Sequence, residues 1–290
     1  MTRYRRGRVW CVAAALLMAL FMSFMFSRNC LTVKRYEVPT AGIEREVRIV
    51  LLSDLHGRQF GKNQSRLLEK IRKEQPELIA IVGDMLSSQA DADELERFCA
   101  LLRSLCEIAP VCYSPGNSEM AWQARYGESI QAAVERTGAC YLEESYRELS
   151  LGGQLIRVGG LYRYAFRHTK TLHQWHRSTT YHFLLQFEET TLPTVLLCHR
   201  PDSFLFYDAY LDWNVDLLLC GHTHGGVIRL PLLGGVYVPD QGWWPKYDKG
   251  KFRLDDTTMV ITSGFVGHGS VPRLWNLPEI TEITLKPKEE

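Results

Sequence analysis

Short apolar runs, each ending in side chains that can bind a metal ion, constrain this 290-residue chain more than any other feature. Val47–Leu52 leads to Asp54 and His56, Leu78–Val82 to Gly83-Asp84, and Val111–Tyr113 to Gly116-Asn117. Val195–Cys198 leads to His199, and Val215–Cys220 to Gly221-His222-Thr223-His224. Runs this short and this apolar fit buried strands better than helices. Helical patterns over Ser65–Glu74 and Asp93–Cys106 separate the early ones, and β character returns at Met259–Thr262 and Ile280–Leu285. Alternation of this kind predicts an α/β sandwich whose strands are covered on both faces. In such sheets, loops past the carboxyl ends of the strands converge to form ligand sites.

The converging set holds carboxylates, imidazoles and one amide but no thiolate, which suits divalent ions such as Mn, Fe or Zn. Asp54-x-His56 and His222-x-His224 each place two ligands on one side of an extended segment. Asp84 has two carboxylate oxygens and can bridge two ions about 3.5–4 Å apart. A pair of ions held so closely acidifies a shared water and neutralises charge on phosphoryl oxygens, which is the chemistry of phosphate-ester hydrolysis.

In order and approximate spacing along residues 47–230, Asp54-Leu55-His56, Gly83-Asp84, Gly116-Asn117, His199 and Gly221-His222-Thr223-His224 resemble the five blocks of the calcineurin-like metallophosphoesterases. The resemblance implies a four-layer α/β/β/α sandwich with two divalent metal ions. One ion would take Asp54, His56, Asp84 and His224, and the second Asp84, Asn117, His199 and His222. Asn117 and His222 would also act in catalysis. The blocks Gln241–Tyr247 and Pro272–Glu279 are similar to those of a membrane-attached bacterial branch. Where the family has a histidine after the asparagine, this chain has Ser118, whose hydroxyl is too weak an acid to protonate a leaving group. Three readings stay open. The substrate has a good leaving group, as in a pyrophosphate bond; another residue, with His268 as candidate, takes over; or turnover is weak and the chain is a tethered module that binds a phosphorylated ligand or partner. Ser118, Arg200 and His268 are the candidate substrate contacts, although Arg200 fits a structural ion pair equally well.

An apolar run from Val9 to Phe26, broken only by Ser23, follows Arg3, Arg5, Arg6 and Arg8. Its eighteen residues span about 27 Å as a helix, close to the roughly 30 Å of a bilayer's hydrocarbon. No small-x-small cleavage site follows it, so a retained membrane anchor is expected over a cleaved signal peptide, and Arg5-Arg6 matches a twin-arginine signal poorly. The arginines before the run, against Arg28, Lys34 and Arg35 after it, favour a cytoplasmic N-terminus and an extracytoplasmic catalytic domain. The expected organisation is an anchor over 1–28, a stem over 29–45 and a metallophosphoesterase domain over 46–290. The expected partners are the membrane, through residues 9–26, and a phosphorylated small-molecule or lipid substrate.

A net charge of +1 gives no footprint for nucleic-acid binding, and none is expected. Leu149 to Phe187 contains no acidic residue but holds Arg157, Arg163, Arg167, Lys170, Arg177 and four histidines, a patch that either attracts anions or is simply a solvated face. Of the eight cysteines none is spaced C-x-x-C; Cys198 and Cys220 read as core residues, and Cys99, Cys106 and Cys112 as thiols able to pair in an oxidising compartment.

Overall fold

The computed structural model describes residues 2–162, 165, 178–267 and 271–288. Helix α1 (Thr2–Asn29) comes first, followed by two six-stranded sheets. The first sheet holds β1 (Thr32–Thr40), β2 (Val47–Leu52), β3 (Leu78–Val82), β4 (Val111–Ser114), β5 (Cys140–Tyr141) and the C-terminal β16 (Glu279–Pro287). Its helices are α2 (Ser65–Glu74), α3 (Ala92–Cys106), α4 (Asn117–Tyr126) and α5 (Ile130–Glu135). The second sheet holds β6 (Ser145–Leu151), β7 (Gln154–Leu161), β8 (Thr194–Cys198), β9 (Leu217–Cys220), β14 (Gly250–Leu254) and β15 (Thr257–Ile261), with α6 (Thr179–Glu188) and α7 (Asp202–Leu205). Between β9 and β14 lie two small hairpins, β10 (Arg229–Leu230) with β11 (Gly234–Gly235), and β12 (Tyr237–Val238) with β13 (Gly242–Trp243).

Strand order is β1-β16-β2-β3-β4-β5 in one sheet and β14-β15-β9-β8-β7-β6 in the other. In both, the strands that lead into the expected ligands run parallel to one another, β2–β3–β4 and β8–β9. Their carboxyl ends therefore share an edge. The alternation of side chains within each strand builds the layers. Ile49, Leu51, Leu78, Ala80 and Val82 meet Val195, Leu197, Leu217, Leu219 and Val260 in one core between the sheets. Val50, Leu52, Ile79 and Ile81 face the other way, onto Leu67 and Ile71 of α2 and Phe98 and Leu102 of α3. On the far side, Leu196, Cys198, Leu218, Cys220 and Ile261 pack under Phe183, Leu184 and Phe187 of α6. The result is the expected α/β/β/α sandwich. Cys198 and Cys220 are the core residues they were expected to be, and no disulfide joins the described cysteines.

Local signals explain the element boundaries. The α3 N-terminus is set by Asp91, whose side chain accepts from Glu94 N at 2.8 Å. Residues 29–45, expected as a stem, instead contain β1, which pairs with β16 in parallel from Thr32↔Glu279 to Thr40↔Pro287. Val38 and Ile43 are buried in the core between the sheets, so this segment is part of the sandwich. Lys34, Arg35 and Glu37 interrupt the apolar pattern because β1 is an edge strand, where charge is tolerated.

In the acid-free stretch, Arg163, Arg167, Lys170, Arg177, His168, His173 and His176 lie outside the described residues. Arg157 does not join a surface patch: its side chain is buried. Its Nη1 donates to the carbonyls of Gln186, Phe187 and Glu189 at 3.0–3.1 Å, and its Nη2 donates to Glu148 at 2.7 Å. The last turn of α6 has no basic residue of its own, and Arg157 satisfies its terminal carbonyls from the neighbouring sheet. Arg157→Met should therefore lower unfolding free energy by about 2–3 kcal/mol, the usual penalty for leaving buried acceptors unpaired. Urea denaturation of the variant would show it; a change below about 0.5 kcal/mol would mean water replaces the guanidinium without loss.

Candidate metal centre

Both sheets deliver their ligand candidates to the shared edge. Asp54 and His56 follow β2, Asp84 follows β3, and Asn117 opens α4 just past β4. His199 follows β8, and His222 and His224 follow β9. The backbone is forced at this edge. Asp54 (φ 55°), His56 (44°), Asp84 (52°), His222 (67°) and His224 (49°) all occupy the left-handed region. Side-chain-bearing residues held there store on the order of 1–3 kcal/mol each. Gly83 (φ 74°) leaves no room for a side chain, since a Cβ would lie 2.1 Å from Gly116 N.

Glu119 holds the two first-sheet loops together. It is fully buried, and its carboxylate accepts from Asp84 N (2.8 Å), Leu86 N (2.9 Å) and Gly116 N (2.9 Å). Asp84 accepts from Ser118 N through Oδ1 (2.8 Å) and from Asn117 Nδ2 through Oδ2 (3.0 Å). Asp54 Oδ2 accepts from His222 N at 3.0 Å and so links the two sheets.

The remaining donor atoms point inward. His56 Nε2 lies 3.6 Å from Asp84 Oδ2 and 3.8 Å from Asp54 Oδ1, and His224 Nε2 lies 3.7 Å from Asp54 Oδ1. Donors around an ion at bonds of about 2.1 Å in a tetrahedron are separated by roughly 3.4 Å. Asp54 Oδ1 and His56 Nε2 are buried without a hydrogen-bond partner among the described residues. Two such atoms facing each other leave room and need for a cation. Beside them, His199 Nε2 is 3.6 Å from Asp84 Oδ2 and 3.1 Å from Asn117 Oδ1. The carbonyl of Val82 is 2.6 Å from His199 Nδ1 and that of Val266 is 3.2 Å from His224 Nδ1. A carbonyl only accepts, so each Nδ1 donates, and that fixes the ring with Nε2 towards the centre.

Electrostatics agree with the geometry. Burial opposes charge on Asp84, yet His199 beside it holds the carboxyl at about 2. Burial likewise disfavours a proton on His199, and the Asp84 carboxylate overrides it, raising the imidazole to about 9. Asp54 is held well below the carboxylate range by His224 and His56 despite complete burial. His224, by contrast, is pushed down to about 3 by burial. A buried imidazolium next to two buried carboxylates is a proton standing where a metal ion satisfies the same charge. The donor set fits a divalent cation.

His222 stands apart from the other imidazoles. Its ring centroid is 5.0 Å from that of His199, but its Nε2 is hydrogen-bonded to Asp240 Oδ2 at 2.9 Å. Arg200 Nη2 donates to the same oxygen at 2.6 Å, so the structural ion-pair reading of Arg200 accounts for its position. Asp202, pushed up to about 6 by burial, has both carboxylate oxygens buried without a hydrogen-bond partner among the described residues, and it groups with His222 and Asp240. Asp240 and Glu119 are the functional residues that sequence reasoning passed over. Glu119 had a usable signal, three residues after Gly116 at a helix start; Asp240 sits in the turn of the β12–β13 hairpin, and no sequence pattern tied that turn to the site.

His56, Asp84, Asn117, Ser118, His222 and His224 line a cleft of about 730 Å³. Ser118 is therefore placed at the site, whereas His268 lies outside the described residues, its neighbours Val266, Gly267 and Val271 lining the same cleft. Arg273, from the expected Pro272–Glu279 block, is buried in the cleft wall and donates to the carbonyls of Ser263, Gly264, Val266, Asn276 and Leu277 at 2.8–3.1 Å. Its role is architectural.

A family model described as calcineurin-like phosphoesterase matches residues 47–226. An uncharacterized metallophosphoesterase, YkuE, of Bacillus subtilis is 27% identical over 245 residues, covering 82% of this chain and 79% of its own. The uncharacterized metallophosphoesterase Cj0846 of Campylobacter jejuni is 25% identical, covering 94% of this chain and 69% of its own. The phosphodiesterase YaeI of Escherichia coli is 26% identical, with 82% of each chain covered. With the match spanning every strand end that carries a donor, the chain belongs to the calcineurin-like phosphoesterase family.

Proposed function

We propose that the chain is a binuclear metal-dependent hydrolase of phosphodiester, phosphomonoester or pyrophosphate bonds, acting on a membrane-associated or lipid-linked substrate. The observation that carries this reading is the place of buried Asp84 between two sets of donors at the cleft: His56 on one side, His199 and Asn117 on the other. Two divalent cations held there supply positive charge against phosphoryl oxygens and acidify a water to serve as nucleophile. The chain's own residues do the rest. Asp54, His56, Asp84 and His224 would hold the first cation, and Asp84, Asn117, His199 and His222 the second. Asn117 keeps its amide oriented by donating to Asp84. Asp240, hydrogen-bonded to His222 Nε2, fixes that ring so that Nδ1 is the atom left for a ligand. The apolar 20-residue helix segment Trp10–Asn29 supports membrane attachment.

Ser118 favours a substrate whose leaving group needs no proton, and a pyrophosphate bond meets that condition. The same serine supports the second reading, a tethered module that binds a phosphorylated ligand without turnover.

Purified protein loaded with Mn²⁺ should hydrolyse at least one of three substrates: an aryl phosphodiester, an aryl phosphomonoester or a UDP-linked lipid pyrophosphate. Asp84→Ala should reduce the rate to background, since it removes the shared ligand. Metal retained with no turnover of any substrate would favour the binding module instead. Asp240→Asn should lower both turnover and cation retention on dialysis by about 10–100-fold, the usual effect of removing a carboxylate that orients a ligating histidine. Metal content and rate within twofold of wild type would show that His222 is positioned without it.

A further inference from the structure

Helix α1 touches the sandwich at its last two turns. Ser23 and Ser27, one turn apart, are buried there, and their hydroxyls accept from Trp275 N (2.7 Å) and Asn276 N (3.3 Å). Ser23 is the residue that breaks the apolar run, so the interruption marks the docking point. Arg66 donates to the Asn29 carbonyl at 3.1 Å and Arg58 donates to that of Arg28. Earlier in the helix, Trp10, Leu17, Met18 and Phe21 are each more than 60% exposed.

The docking face and the cleft are continuous. Phe24, Ser27 and Arg28 line the same cleft as the metal-binding candidates. Arg28 from α1 and Arg58 from the loop after β2 both line that cleft, with Arg58 Nη2 on the Arg28 carbonyl; Arg58 Nε is buried with no hydrogen-bond partner among the described residues. Like charges brought together this way call for an anion between them. Arg273 does not compete, because its donors are spent on backbone carbonyls. Phe24 and Val271 supply the apolar part of the same wall.

We propose that the end of α1 is a substrate subsite: Arg28 and Arg58 hold a phosphate group of a lipid pyrophosphate, while Phe24 and Val271 contact the start of its acyl chains as these pass along the helix into the bilayer. This rests on the phosphoesterase reading of the cleft. The lipid is chosen over a soluble ester because the cleft wall is itself the exposed apolar helix, so the cleft opens beside whatever covers that helix, and its predominantly apolar 20-residue segment Trp10–Asn29 is long enough to span a bilayer's hydrocarbon. The rim adds to this: Trp275 is exposed beside Ser23, and Leu232 and Leu233 project from the β10–β11 turn, whose Arg229 N donates to Leu274 O at 3.0 Å.

The test uses the full chain in phosphatidylcholine nanodiscs with Mn²⁺ and two substrates, a UDP-linked diacyl lipid pyrophosphate and its acyl-free UDP-sugar counterpart. Wild type should prefer the lipid in kcat/KM. Phe24→Ala should cut that preference about tenfold, the loss expected from one buried aromatic contact. Arg58→Gln should raise KM for the lipid by about tenfold, from a lost charge-assisted hydrogen bond. Equal kcat/KM for both substrates in wild type, or a preference within twofold of wild type in Phe24→Ala, would overturn the proposal. If wild type turns over neither substrate, the phosphoesterase reading fails by itself and binding decides this one. The same lipid carrying a diazirine in its acyl chain should label Val271–Trp275, about tenfold less in the Arg28→Gln, Arg58→Gln double variant; equal labelling would sink it.

Discussion

The packing of one sheet onto the other is the interaction on which the site depends. Neither sheet holds a complete ligand set: Asp54, His56, Asp84 and Asn117 come from the first, and His199, His222 and His224 from the second. They meet because Ile49, Leu51, Ala80 and Val82 are buried against Val195, Leu197, Leu217 and Leu219. Each such aliphatic side chain removed from water contributes about 1.5–3 kcal/mol. That apolar core supplies the free energy with which polar, strained loops are held together at its edge.

The edge itself is unfavourable without a cation. Five donor residues sit at positive φ, two carboxylates and two imidazoles are buried within a few ångströms, and Asp54 Oδ1 and His56 Nε2 find no hydrogen-bond partner among the described residues. Glu119 offsets part of this by accepting three backbone N–H groups and joining the loops after β3 and β4. Metal binding to such a site couples to stability, because the ligands gain in the folded state what they lack in the unfolded chain.

Arg273 connects this centre to the N-terminal helix. By gathering carbonyls between residues 263 and 277 it shapes the segment in which Trp275 N and Asn276 N donate to Ser23 and Ser27 of α1. One buried guanidinium thus fixes both the rim of the cleft and the place where the apolar helix arrives. The docking point of the apolar helix and the wall of the cleft are built from the same few residues.

By itself the sequence determined the layers and the donor set. Residues that alternate across β2, β3, β8 and β9 have to be buried on two faces, and the polar groups that follow those strands have to emerge at their carboxyl ends, which is why the sandwich and the candidates from Asp54 to His224 were legible. Tertiary structure alone decided three things. It made β1 an edge strand of the sandwich where charges suggested a stem, because pairing with β16 is a contact across more than 200 residues that leaves no local pattern. It paired Arg157 with the carbonyls at the end of α6 and Arg200 with Asp240, since a side chain's partner depends on what packs beside it. And it set Phe24 and Arg28 beside the donors, a proximity that chain order, with the first donor almost thirty residues further on, gives no means to read.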